Sequence, residues 1–261
     1  MALDLTAAVA PLRADPAESV LLFDFDGTLS PIVDDPAAAR PLPGVVERLD
    51  RLAAAYRCVG AVSGRPIGFL AEHLPAAMDL SGLYGLEARI DGRTVEHPGS
   101  ARWRPVVTEV ARALGAATAP GEPGHGIVVE AKGLSITLHV RTRPDLADEA
   151  IALSQRIAAP AGLEVRPAKM SVELHPPLAA DKGTAVMALA EDATGVLYAG
   201  DDRGDAPAYR ALAALGGRTP PVATVGVVVD GPELPDEIRR LGGVLLPDQT
   251  AVLDLLDALV V

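Results

Sequence analysis

The sequence predicts an α/β fold, a Rossmann-like parallel sheet with crossover helices, interrupted by a small inserted α+β unit. Three observations carry this reading. Residues 19–25 form a continuous apolar run that ends in carboxylates, as expected of a strand covered on both faces. A helical segment and a second buried run follow it, giving the strand–helix–strand order of a right-handed crossover. After about residue 97 the order becomes helix, hairpin, helix, hairpin, and the first pattern returns at Asp181. The expected division is a core of residues 1–97 and 178–261 with a cap at residues 98–177.

In the core, the helix expected at residues 44–56 places Val45, Val46, Leu49, Leu52, Ala53 and Tyr56 on one face, with Pro43 and Gly44 marking its start. Residues 58–62 form the second strand and run into Ser63-Gly64-Arg65-Pro66. In the cap, helices are expected at residues 103–117 and 144–158. Strand pairs are expected at 127–130 with 134–141, and at 163–166 with 170–175. The returning core reads as helices at 182–191, 208–215 and 250–259, with strands at 196–199, 222–229 and 244–246.

Composition bounds the function. The chain has 261 residues, of which 49% are apolar, so a sizeable core can be buried. A net charge of −12 argues against a nucleic-acid surface, which needs clustered Lys and Arg. The single cysteine, Cys58, allows no internal disulfide and reads as a small buried residue. No stretch is long enough to cross a membrane, and the short apolar run at residues 5–12 lacks a basic segment before it, so a soluble, cytoplasmic protein is expected.

The chemistry begins at Asp24 and Asp26, where the first strand ends. Ligands of open α/β sheets bind outside the carboxyl ends of strands. Two adjacent carboxylates repel unless something positive sits beside them, and Mg²⁺ takes one or two carboxylates plus phosphate oxygens. Gly27 permits a tight turn, and Thr28 can hold a carboxylate through its hydroxyl. Ser63, at the end of the second strand, suits either a phosphate oxygen or an ordinary helix N-cap. Lys182 opens a helix and can neutralise a phosphoryl group or remain solvated. Gly200-Asp201-Asp202-Arg203-Gly204-Asp205 follows another strand and reads as a metal site or as a solvated acidic loop.

These four pieces, in this order, resemble the motifs of the haloacid dehalogenase-like (HAD) superfamily: Asp-x-Asp, Ser or Thr, Lys, and an acidic pair. The resemblance narrows to trehalose-6-phosphate phosphatases. Asp24-Phe25-Asp26-Gly27-Thr28-Leu29-Ser30-Pro31-Ile32, Ser63-Gly64-Arg65-Pro66, Gly85-Leu86-Glu87, Val129-Glu130-Ala131-Lys132-Gly133-Leu134-Ser135, Glu164-Val165-Arg166-Pro167 and Asp181-Lys182-Gly183-Thr184 are similar to that family's motifs. The match runs from about residue 20 to residue 205. There are departures: Gly204 and Ala206 stand where the family reads Thr and Glu, and Tyr84 stands where it reads His.

The resemblance implies a HAD core with a C2-type cap and a Mg²⁺-dependent phosphatase. Asp24 is then the nucleophile and Asp26 the general acid and base. Mg²⁺ is held by the Asp24 carboxylate, the Asp26 carbonyl and Asp201, with Asp205 behind the metal or as an additional ligand. Ser63, Gly64 and Lys182 grip the phosphoryl group. Arg65, Glu87, Glu130, Lys132, Arg141, Lys169 and Glu173 are the candidate contacts to the substrate, a small sugar phosphate. A phosphatase for another sugar phosphate, a phosphotransferase or mutase, and a phospho-accepting signalling module are the competing readings.

Overall fold

The computed structural model describes residues 4–168, 170–231 and 234–261. Lys169, a candidate substrate contact, therefore lies outside the described residues. The chain divides into two compact units, Met1–Val95 with Ala180–Val261, and Glu96–Ala179.

The first unit is built on a sheet in the order β12-β11-β10-β1-β2-β3-β4-β5. Its strands are β1 (Ser19–Phe23), β2 (Cys58–Val62), β3 (Asp79–Gly82), β4 (Glu87–Ile90), β5 (Arg93–Glu96), β10 (Gly195–Gly200), β11 (Ala223–Val229) and β12 (Val244–Leu246). The pairs from β12 through β3 are parallel, and β4 turns back antiparallel on β3. Helices α1 (Leu5–Ala14), α2 (Val45–Ala53), α3 (Ile67–His73), α6 (Lys182–Leu189), α7 (Ala206–Gly216), α8 (Asp236–Arg239) and α9 (Val252–Leu259) accompany it.

The period-two geometry of β1 explains its unbroken apolar run. Leu21 and Phe23 pack with Leu12 of α1, Leu49 and Leu52 of α2 and Leu255 of α9. Val20 and Leu22 pack on the other face with Val186 of α6 and Leu212 and Leu215 of α7. Each such aliphatic side chain contributes roughly 2 kcal/mol by leaving water. On α2 the spacing Val45, Leu49, Leu52 sets the buried stripe, whereas Val46, expected on that face, is exposed. One residue is about 100° of helix rotation, enough to carry Val46 off the stripe.

The second unit has its own core. Strands β6 (Val128–Ala131), β7 (Ile136–His139), β8 (Glu164–Ala168) and β9 (Ser171–His175) form an antiparallel sheet in the order β6-β7-β9-β8. Val107, Val110 and Leu114 of α4 (Arg104–Ala117) and Leu153 of α5 (Ala147–Ile157) pack on Ile136, Leu138, Val172 and Leu174.

The parallel sheet and the separate antiparallel sheet follow the expected fold class. The hairpin of β4 and β5 and the short β3 were not expected. Asp79-Leu80-Ser81-Gly82 offers no apolar run, because one hydrophobic residue of four suffices at that position. Among the described residues, no helix is long and apolar enough to cross a membrane.

Candidate active site

Asp24 is the first residue past β1. Its N–H continues the ladder to Ala199 O at 2.8 Å, so the carboxylate is fixed at the carboxyl edge of the sheet. The turn that follows closes on backbone bonds, Gly27 N–H to Ser30 O at 2.8 Å and Ser30 N–H to Phe25 O at 2.8 Å. Thr28 does not hold a carboxylate as expected. Its Oγ1 is buried and has no partner among the described residues, because backbone bonds alone close the turn. Gly27 has φ +84°, and a Cβ there would run into the Asp201 carboxylate, so glycine is required for the two loops to meet.

Lys182 is buried, not solvated. A capping box fixes its helix start: Asp181 Oδ1 accepts the Thr184 N–H at 2.7 Å, and the Asp181 N–H donates to Thr184 Oγ1 at 3.0 Å. Lys182 Nζ then lies 2.8 Å from Asp24 Oδ1 and 2.7 Å from Asp205 Oδ1. Burial disfavours the ammonium, but Asp205 and Asp24 hold its pKa well above the usual lysine range.

Asp205 is a hub. Its Oδ1 accepts from Lys182 and, at 2.5 Å, from the Tyr198 hydroxyl. Its Oδ2 accepts the N–H groups of Asp201 and Asp202 at 2.8 and 2.9 Å. With both oxygens so engaged, Asp205 holds the loop and the lysine in place. Tyr198 escaped the sequence reading because it sits in a strand where any large apolar letter fits. A buried Tyr needs a partner for its O–H, which is the signal that could have found it.

Asp24, Asp201 and Asp205 each offer an oxygen within 4.8 Å of the others. Asp201 Oδ1 is buried without a hydrogen-bond partner among the described residues. Burial pushes the Asp24 carboxyl well above the usual carboxylate range; Lys182 opposes this, and Asp205 and Asp202 add to it. Burial, then Asp205 and Asp24, push Asp201 up in the same way. Three carboxylates thus face one ammonium, with a bare oxygen among them. This hard, oxygen-only donor set fits a small divalent cation such as Mg²⁺.

Ser63 N–H bonds Ser81 O at 2.9 Å, and Ser63 Oγ accepts the Arg65 N–H at 3.2 Å. This serine caps the turn and keeps its own O–H to donate. Arg65, expected at the substrate, is instead buried against Asp26. Its Nε and Nη2 donate to the two Asp26 oxygens at 2.7 Å each, Nη1 donates to Pro36 O at 2.8 Å, and the guanidinium lies 4.5 Å over the Phe69 ring. Glu87, also expected at the substrate, accepts the Ile67 N–H at 2.7 Å. It satisfies the free N–H at the start of α3.

In the second unit, Lys132 Nζ lies 3.7 Å from Glu130 and 3.9 Å from Glu173. Glu130 also meets His139 Nε2 at 2.7 Å, and Glu173 accepts from Thr137 Oγ1 at 2.9 Å. Burial raises the Glu173 pKa, but Lys132, His175 and Thr137 outweigh it and bring it down to about 2. Arg141 follows β7 and is half-buried. Cys58 donates its thiol to Asp79 at 3.4 Å, and burial pushes its pKa up, which keeps it unreactive.

The trehalose-phosphatase family model matches residues 22–230, from β1 to the loop after β11. The chain belongs to the trehalose-phosphatase family. A trehalose-phosphate phosphatase of Mycobacterium avium is 34% identical over 222 residues, covering 80% of this chain and 54% of its own. The chain thus spans about half the length of the curated relatives it matches. The C-terminal domain of a Candida albicans trehalose-6-phosphate phosphatase superposes with a TM-score of 0.78 at 24% identity, covering 99% of this chain and 97% of that one. A phosphatase of the HAD superfamily from Bacteroides thetaiotaomicron shares the fold at a TM-score of 0.54 and 16% identity, covering 92% and 94%. Family and fold therefore agree with the resemblance drawn from the motifs.

Proposed function

We propose that this chain is a Mg²⁺-dependent phosphatase that hydrolyses trehalose 6-phosphate to trehalose and phosphate. The observation that carries this is the Asp24 carboxylate, fixed at a strand end, bonded to Lys182 and adjoining the bare Asp201 oxygen. Relatives named trehalose-phosphate phosphatase support the substrate.

In the first step an Asp24 oxygen attacks phosphorus, the bond from phosphorus to the sugar oxygen breaks, and Asp26 gives its proton to that oxygen. In the second, Asp26 takes a proton from water, the resulting nucleophile attacks phosphorus, and phosphate leaves with Asp24 restored. Lys182 and the Ser63 O–H hold the phosphoryl oxygens through both displacements. Asp24, Asp201 and the Asp26 carbonyl would hold a divalent cation, which would supply positive charge to offset that of the phosphoryl group.

Phosphate release from trehalose 6-phosphate, beside other disaccharide and hexose phosphates and with or without Mg²⁺, tests the proposal. Mg²⁺-dependent release with trehalose 6-phosphate as the best substrate is expected. Release that is indifferent to Mg²⁺ would refute the mechanism, and a better sugar would refute the substrate.

A further inference from the structure

Tyr84 is absorbed neither by the metal site nor by the phosphoryl grip, yet it is built into both neighbourhoods. Leu83, Tyr84 and Gly85 run consecutively at φ +50°, +57° and +92°. Two adjacent L side chains in the left-handed region are disfavoured, and such strain persists where the surroundings over-determine it. Here the surroundings are the catalytic loops. Leu83 N–H bonds Arg65 O at 3.0 Å, and Tyr84 N–H bonds Ser63 O at 3.0 Å.

The ring is placed by absence on both sides. A Cβ on Gly64 would lie 2.7 Å from Cε2, Cζ and Oη of Tyr84, so the phenol lies directly on the turn that carries Ser63. A Cβ on Gly204 would lie 3.0 Å from Asp202 Oδ1 and 3.8 Å from Tyr84 Cε1, the latter an ordinary contact. Side-chain atoms beyond that Cβ have rotamers that reach the ring. Tyr84 thus stands between the Ser63–Arg65 turn and the Asp202–Asp205 loop and is only half-buried. Tyr84 follows the end of β3, so it stands at the carboxyl edge of the sheet, where ligands of such sheets bind. An apolar face with a hydroxyl at its rim matches a sugar ring, which shows C–H faces edged by hydroxyls.

We infer that Tyr84 is a specificity-determining residue, the wall against which the sugar of the phosphate ester packs, and that Gly204 is the space that admits it. This rests on the phosphatase reading of Asp24 and Lys182. It links Tyr84 and Gly204, two of the three positions at which the chain departs from the motifs it resembles.

The test measures kcat/KM for trehalose 6-phosphate, or whichever sugar phosphate the native protein turns over best, against acetyl phosphate, which has no sugar to pack. Tyr84→Ala is expected to lower the ratio of sugar phosphate to acetyl phosphate at least tenfold, chiefly through the KM of the sugar phosphate. Gly204→Thr, which crowds the ring and Asp202 Oδ1 but not the strained backbone of Leu83 and Tyr84, is expected to shift the ratio the same way. The Gly204→Thr effect should shrink at least threefold when made in the Tyr84→Ala background. An unchanged ratio in both single variants, or additive effects in the double variant, would overturn the inference. Loss on both substrates alike would also overturn it, since that is the mark of a merely structural role. Asp24→Asn run alongside separates the two levels, because substantial activity in that variant defeats the phosphatase reading whatever Tyr84 does.

Discussion

Among the described residues, a cluster of acids around a lysine occurs in each unit, and the two differ in completeness. At the parallel sheet, Asp24, Asp201 and Asp205 face Lys182, and Asp201 Oδ1 has no partner among the described residues. On the antiparallel sheet, Glu130 and Glu173 share Lys132 and are further met by His139, Thr137 and His175. Burial raises both Asp24 and Asp201, whereas Glu173 is brought below its ordinary range. One cluster is unfinished, with a buried acid oxygen that has no partner among the described residues. In the other, each acid already has partners among the cluster's own side chains.

The largest effect expected from that contrast is on turnover. Asp24→Asn keeps the shape and the Lys182 contact but removes the attacking anion, so kcat should fall at least about a thousandfold. That corresponds to about 4 kcal/mol of barrier. Phosphate release, with circular dichroism as the control for folding, checks it. Activity within tenfold of the native protein would mean the unfinished cluster is not the reacting one.

The second effect tests the finished cluster and is one of stability. The Glu173 shift from 4.5 to about 2 corresponds to roughly 3 kcal/mol of folded-state preference for the carboxylate. Because the folded pKa lies below the unfolded one, this stability is fully present above about pH 4.5 and is lost as pH falls toward about 2. Glu173→Gln should therefore destabilise by roughly 3 kcal/mol at pH 7. The gap from the native protein should narrow between pH 5 and pH 3. Urea unfolding at several pH values reads both. A gap that stays constant across that range would show that the carboxylate is not the source.

The third prediction returns to the unfinished cluster. Mg²⁺ at about a hundred times its dissociation constant should stabilise the chain by about 2.7 kcal/mol if it binds only the folded state. Asp201→Asn should abolish that gain while leaving the metal-free protein no less stable, since it removes a repelled carboxylate. Removing an acid thus has opposite consequences in the two clusters. Calorimetric melting with and without Mg²⁺ measures it, and a Mg²⁺ response that survives in Asp201→Asn would place the cation elsewhere.

What the sequence made legible follows from range. Asp24, Ser63, Lys182 and Asp201 each end a strand or open a helix, so local pattern plus parallel topology already brings them to one edge of the sheet. The apolar run of β1 made that topology readable. Contacts set by how separate elements pack were not legible. Glu87 caps α3 from a strand that carries no apolar run, and Tyr198 reaches Asp205 from inside an ordinary-looking core strand. Arg65 and Asp26 are 39 residues apart, and nothing in either motif states that they pair.

That last pair yields the smallest effect and the finest division of the site. Arg65 occupies both Asp26 oxygens with a planar fork, itself held by Pro36 O and the Phe69 ring. Such a fork would aim the acid that the proposed mechanism assigns to the leaving oxygen. Arg65→Lys keeps the charge but loses the fork, so Asp26 should be attracted without being aimed. A loss of about tenfold in kcat is expected on a sugar phosphate, equivalent to about 1.4 kcal/mol. The first-turnover burst with p-nitrophenyl phosphate should be spared, because nitrophenolate leaves without a proton. If burst rate and sugar-phosphate turnover fall together, Arg65 supports the fold around the site and not the aim of Asp26.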